Sequence, residues 1–371
     1  MKQQLAFVRR SPARVLVGLM LGLAIGPPAA IFGSVVWAQG AAHDETGALT
    51  ATATEAAGKT SLDKQFAGTS AELDTYVGTG TFYRRYSDPY VSNGLYLKPI
   101  YHLPGKHDLT LNARLYIEVE YTSPDNPQAR RFYPLDPWLW LAARNLYTEP
   151  RSRIRFGGQL RMVLPVSYES RYQHLLTGVG VGLNATRESE FGRPDAKGKR
   201  WGLAVSLGVV VVKNINSSVL RGNGPGDTTG CLNAPPATSE ANAAEPGAAS
   251  SDRCGGPLNT SVSVLSAGGV TVGRGRWVGA ATLYVINNFR YTAPADAFSS
   301  TNTPLGREDV SWGILTVGYE LRPHLGLNVG ISSQQPALDA RYRYPRFPFF
   351  DFSGTNANNY TQAFVAIGGT I

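Results

Sequence analysis

Residues 109–122, LTLNARLYIEVEYT, alternate with a period of two. Leu109, Leu111, Ala113, Leu115, Ile117, Val119 and Tyr121 form an apolar row, and Thr110, Asn112, Arg114, Tyr116, Glu118, Glu120 and Thr122 form a mostly polar one. Successive strand side chains point to opposite faces, so the stretch reads as a β-strand with one apolar and one wet face. Its length is the constraint. Soluble strands usually run about 5–6 residues, whereas a tilted strand crossing a bilayer takes about 9–11. The run fits either a sandwich with overlong strands or a strand that crosses a membrane and projects beyond it.

The pattern recurs. RIRFGGQLRMVLPVSY sets Ile154, Phe156, Leu160, Met162, Leu164 and Val166 against Arg153, Arg155, Gln159, Arg161 and Ser167. WGLAVSLGVVVV and HLGLNVGISS repeat it with glycine or small residues such as Gly202, Ser206, Gly326 and Asn328 on the other side, and RWVGAATLYVINNFRY sets Trp277, Leu283, Val285, Phe289 and Tyr291 in phase. Strands are expected near 75–85, 91–103, 109–122, 137–147, 153–168, 175–187, 200–214, 259–272, 276–291, 309–321, 325–334 and 359–371. That is about twelve, an even number as in bacterial single-chain barrels. Gly 41, Tyr 18 and Phe 14 are plentiful, Met 3 and Cys 2 are scarce, and only 17% of residues are charged, as suits an all-β chain.

The first residues predict export. MKQQLAFVRRSPAR is basic, VLVGLMLGLAIG is apolar, and SVVWAQG places Val36 and Ala38 at a small-residue cleavage site. Residues 1–38 therefore read as a signal peptide. After Ala38 no apolar stretch is long enough for a spanning helix, so a membrane location requires a closed barrel. Residues 39–73, rich in Ala, Thr and Gly, read as a flexible periplasmic leader, and 74–371 as the barrel. The formal charge of +8 includes Lys2, Arg9, Arg10 and Arg14, so the remainder is only mildly basic and no nucleic-acid partner is expected.

The connections sort by length. Those near Gly105, Pro150, Gly275 and Pro323 are short, with 188–199 somewhat longer, while 123–136, 215–258, 292–308 and 335–358 are mostly long. Short turns on one side and long loops on the other predict a transmembrane antiparallel up-and-down β-barrel with its turns in the periplasm. Trp201, Trp277, Phe289, Tyr291 and Tyr319 fall towards strand ends, where aromatic girdles meet headgroups. With the signal, the loop asymmetry and motifs such as LPVSYESR and LRPHLGLNVGISSQQPALDARYRYPRFPFF, residues 75–371 resemble proteobacterial outer-membrane barrel proteins of the porin or transporter-like type. That resemblance implies an outer-membrane location, with membrane lipids and the barrel-assembly machinery as partners. Such barrels usually end in an aromatic residue; this chain ends FVAIGGTI, with Phe364 well inside.

Few residues suggest chemistry. Cys231 and Cys254 share the longest outer loop and are expected to form a disulfide. His174 lies near Ser167 and Ser170, but no third orienting residue follows at a recognisable spacing, and the plain reading is loop polar residues. No phosphate loop, dinucleotide fingerprint, zinc motif or calcium loop appears, so no cofactor, metal or catalytic residue is assigned. What remains is the basic wet face. Alternation turns Arg114, Arg153, Arg155, Arg161, Arg276 and Arg290 inward, with Arg144 a possible addition and Glu118 and Glu120 beside them. The expectation is a narrow channel or transporter for small anionic or polar solutes, with the glycine-lined strand 175–187 leaving room beside the arginines. Two alternatives stay open: a structural or surface-interaction barrel, in which glutamates neutralise those arginines, and an outer-membrane enzyme.

Overall fold

The computed structural model describes residues 65–78, 90–104, 108–122, 132–194, 198–219, 258–292, 307–337 and 360–371. Its strands are β1 Ser70–Gly78, β2 Val91–Lys98, β3 Ile100–His102, β4 Leu109–Glu120, β5 Phe132–Pro134, β6 Trp138–Thr148, β7 Arg155–Val163, β8 Leu175–Phe191, β9 Trp201–Asn216, β10 Thr260–Arg274, β11 Trp277–Arg290, β12 Arg307–Arg322, β13 Leu325–Pro336 and β14 Tyr360–Thr370. One short helix, α1, spans Tyr168–Tyr172.

All pairings are antiparallel, and β1 pairs with β14 from Ser70↔Thr370 to Gly78↔Gln362. The sheet is therefore closed. β2 and β3 lie end to end along β4, interrupted at Pro99, and β5 and β6 do the same, interrupted at residues 135–137. Counted as staves, the wall is a closed twelve-stranded antiparallel barrel. Proline supplies no ladder N–H, which is why both staves break where Pro99 and Pro137 fall.

Alternation is realised along the wall. On β4 the even residues from Thr110 to Glu118 point inward and are buried, while Leu111 and Leu115 are exposed. The outer face carries Leu160, Val181, Leu183, Val317, Val329 and Val365, all exposed, and Leu183 reaches 64%. A continuous exposed belt of this kind is a lipid-facing surface, since a soluble protein would not leave it in water. Trp277 packs at a tilt against Tyr319 with ring centroids 4.7 Å apart, and Phe191 stacks on Trp201 at 6.3 Å, at the short-turn end of the belt. At the opposite end the strands continue past the belt. There the outward residues turn polar: Asn287 Nδ2 donates to Asp309 Oδ1 at 2.7 Å.

Two elements differ from the sequence reading. β1 starts at Ser70, so residues 70–73, read as leader, belong to the wall. The inward row of the strand opens with Ser70, Glu72 and Asp74, and a strand with a polar and acidic inner face resembles a linker in composition. The strand expected over 153–168 ends at Val163, and α1 follows, because Pro165 stops the ladder and Ser167 caps a helix. The Ser167 hydroxyl accepts from the Ser170 N–H at 3.0 Å.

Candidate functional site: the lumen wall

The inward residues fall into two chemically distinct sectors. An apolar girdle runs from β1 through β14 and on around to β6: Tyr76, Phe364, Trp312, Tyr284, Leu265, Val210, Val163 and Trp138 belong to one buried cluster. Phe364 packs inward against Tyr76, ring centroids 5.5 Å apart, and takes no part in the lipid belt. The remaining sector, on β1, β2, β4, β6 and β7, holds most of the inward charged groups; Arg290 and Glu308 pair elsewhere, on β11 and β12.

Within that sector the cations alternate with indoles. Cross-strand register sets Arg114 opposite Trp138 and Trp140 opposite Arg161. The Arg114 guanidinium lies 4.9 Å from the Trp138 ring centroid, and Arg161 lies 5.5 Å from Trp138 and 5.8 Å from Trp140. Lys98 Nζ sits 5.5 Å from Trp140 on its other flank. Lys98, Arg114 and Arg161 are all buried, so these cation–π contacts act where little water competes. Arg161 Nε also donates to Gln159 Oε1 at 2.8 Å. A guanidinium carries its N–H fork in its own plane, a geometry suited to bidentate contact with carboxylate or phosphate.

Towards the long-loop end, the same sector turns acidic. Gly94 lies opposite both Asp74 and Glu118 in register, and its missing side chain makes room for Tyr116. Tyr90 donates its hydroxyl to Glu118, and Ser92 Oγ donates to the Tyr90 hydroxyl at 2.9 Å. Tyr76 donates to Asp74 Oδ2 at 3.3 Å, and Thr122 Oγ1 to Glu120 Oε1 at 2.8 Å. Carboxylates thus stand above cations along one wall.

The eight lumen residues expected from the sequence separate on this geometry. Arg114 and Arg161 are buried on the lumen face, as is Glu118, with Glu120 one step further along the same row. Arg290 also faces inward but is engaged by Glu308, its Nη2 3.1 Å from Oε2. Arg155 lies at the short-turn end, paired with Glu188, and both are more than two-fifths exposed. Arg153 and Arg276 are corrections: both occupy turns outside the wall. Arg153 is exposed with φ of 55°, in a turn where hydrogen bonds from Ser152 hold the Glu149 carboxyl below its usual range. Arg276 is exposed in the tight turn after Gly275, whose φ of 64° suits glycine. Arg144 is exposed near the end of β6. Residues next to a turn continue the alternating pattern in sequence after the strand has ended, and that is why they misread.

The glycine stripe is the other correction. Gly178, Gly180 and Gly182 do point inward, but their space is taken: an added Cβ at Gly180 would meet Val212 at 2.9 Å, and at Gly182 would meet Gln159 and Val210 at 2.9 Å. At the level of Gly178 and Gly180 the inward partners Arg161, Val163, Val212 and Asn214 are all buried, so the barrel is occluded here. Sequence reasoning also missed Trp138, Trp140 and Lys98, whose strand showed ambiguous facing or whose charge stood alone. Ser170 donates a hydrogen bond from its hydroxyl to Asp136, and His174 uses its backbone, accepting Ser217 N–H at 2.8 Å on its carbonyl oxygen. Cys231 and Cys254 lie outside the described residues.

A closed twelve-stave barrel, a lipid-facing belt, aromatic rings at its edge and short turns opposite long connections now stand together. The chain is an outer-membrane β-barrel. No family model and no curated protein matches it. Among solved structures, the translocator domain of the autotransporter NalP from Neisseria meningitidis aligns with 93% of this chain and 100% of its own, at 10% identity and a TM-score of 0.35. The transport unit of AIDA-I from Escherichia coli covers 89% of this chain and 97% of its own, at 9% identity and a TM-score of 0.32. OpdK from Pseudomonas aeruginosa, crystallised with vanillate, covers 82% and 99%, at 11% identity and a TM-score of 0.28. Scores this low carry no functional weight; the assignment rests on this chain's own strand pairing and surface.

Proposed function

We propose that the barrel is a narrow, gated passage for small anionic or polar solutes, and that its selective element is the Lys98–Trp140–Arg161–Trp138–Arg114 ladder. The observation that supports this most is the position of Arg114 and Arg161 on the lumen face, stacked on a shared indole. Cations confined in a low-dielectric wall exert a stronger field on a passing anion than cations in water. Arg155 and Arg290, each paired with a glutamate, hold the wall together in this reading. The occluded lumen makes the passage gated rather than permanently open. A passage is favoured over a serine hydrolase in this reading, because the serine nearest a histidine in sequence commits its hydroxyl to Asp136.

Planar-bilayer recording of the purified barrel tests the reading. The wild type should show discrete conductance with anion preference, and Arg114→Glu with Arg161→Glu should weaken or reverse that preference. Heat-dependent gel migration reports whether the variants keep the closed barrel. An anion preference untouched by both changes removes the ladder from selectivity. An intact barrel that never conducts leaves the structural alternative, which the occluded lumen would then explain.

A further inference from the structure

The wall has a notch. β7 ends at Val163, opposite Trp138, whereas the stave on one side continues upward through β5 and that on the other through the first residues of β8. β5 pairs with β4 alone among the described residues. Residues 164–174, including α1, occupy the space where β7 would have continued. They are held differently from every stave beside them.

A strand is fixed by a ladder of backbone bonds. This segment adds one such bond to the neighbouring stave, Leu164 N–H to the Pro137 carbonyl at 2.9 Å, and then relies on a side chain. The Asp136 carboxylate accepts from the N–H groups of Val166 at 2.9 Å and Ser167 at 2.7 Å, and from the Ser170 hydroxyl. At the far end, the Gln173 carbonyl accepts from Asn216 Nδ2 at 2.8 Å and Asn259 Nδ2 at 2.7 Å. Asp136, Ser167, Ser170, Gln173 and Asn259 are all buried. Both boundaries suit a hinge. Pro165 breaks the ladder at one, and His174 sits at φ 52° at the other, a conformation uncommon for a residue with a side chain. Directly below lie Val163 and Trp138, the top of the cationic ladder.

We infer that residues 164–174 form a gate in the barrel wall, latched by Asp136, whose release opens access from the long-loop side to the lumen at Trp138. One carboxylate takes three donors at the Pro165 end, so that end can be released as a unit while Gln173 and His174 keep the far end tied to the wall. Its outer flank, Val166, is 43% exposed and faces the interface end of the belt, as do Phe132 and Leu176 on the two edges of the notch. The inference builds on the passage reading by naming the part that moves.

The test uses full-length barrel in lipid vesicles, with Cys231→Ser and Cys254→Ser as background and Val163→Cys as a reporter inside the notch. Val163 is fully buried, so a membrane-impermeant maleimide should label the reporter slowly. Asp136→Ala should raise the labelling rate by at least about tenfold, because three donors, two of them in buried hydrogen bonds, lose their acceptor together. Ser170→Ala, which removes one donor and keeps the carboxylate, should raise it less. Bilayer currents from the same variants should show a larger open fraction. Unchanged labelling in both variants, with heat-dependent migration intact, overturns the gate. Faster labelling without anion-selective current upholds the gate and refutes the passage reading. Anion-selective current with unchanged labelling does the reverse.

Discussion

Trp138 is the residue on which the proposed selective ladder turns, and removing its ring has a cost that the geometry sets. Two guanidiniums lie within the roughly 6 Å range of the cation–π interaction, at 4.9 Å for Arg114 and 5.5 Å for Arg161. Both are buried, which places each contact nearer the desolvated value of about 2 kcal/mol than the exposed value of about 0.5–1. Trp138→Leu keeps an apolar side chain against Val163 but removes both π faces. Truncation of a buried aromatic adds a cavity term of its own, with totals of about 3–5 kcal/mol common for Trp or Phe reduced to Ala. Stability alone would therefore not isolate the stacking. A double-mutant cycle does: Trp138→Leu is combined with Arg114→Met and, separately, with Arg161→Met, and each barrel is unfolded in urea from lipid vesicles. Coupling energies of about 1–2 kcal/mol are expected for each pair, with Arg114 the larger because it is closer. Coupling below about 0.3 kcal/mol, within the error of additivity for independent sites, would show that the cations merely adjoin the indole.

Gly330→Ala should destabilise the barrel by about 1–3 kcal/mol, because an added Cβ would lie 2.5 Å from both the Leu315 carbonyl oxygen and the Phe364 ring. Gly326→Ala, whose Cβ would meet nothing closer than 3.9 Å, should be close to neutral in the same urea titration, and equal effects would refute the packing argument. Mass spectrometry of non-reduced, exported protein should find Cys231 joined to Cys254 within one chain, and two free thiols would end that expectation.

The twelve staves, and the sense of the faces on all but 137–147 and 359–371, were legible in the sequence because a bilayer imposes period two on crossing strands. Residues 109–122 show why: lipid demands Leu111 and Leu115 outside, and the backbone then has no choice about Arg114 and Glu118. The same rule failed at Arg153 and Arg276, since alternation continues in the letters after the ladder has stopped. It failed again at α1, where a serine cap and a proline outweigh an apolar row that still reads as strand. Trp138 and Trp140 were hidden because Leu139 and Leu141 beside them are apolar as well, leaving no contrast between faces.

Sequence by itself determined the architecture: strand number, lipid belt, aromatic edges and the sorting of connections, all properties of single strands in contact with one solvent. Register across strands is a relation between distant segments, and only the closed barrel decided it. It set Arg114 against Trp138 and Arg161 against Trp140, gave the room beside Gly180 to Val212, and brought Asp136 under a segment about 30 residues later, within reach of Ser167 and Ser170. A periodic pattern states which way a side chain points; what it meets there depends on how far each stave is shifted against the next.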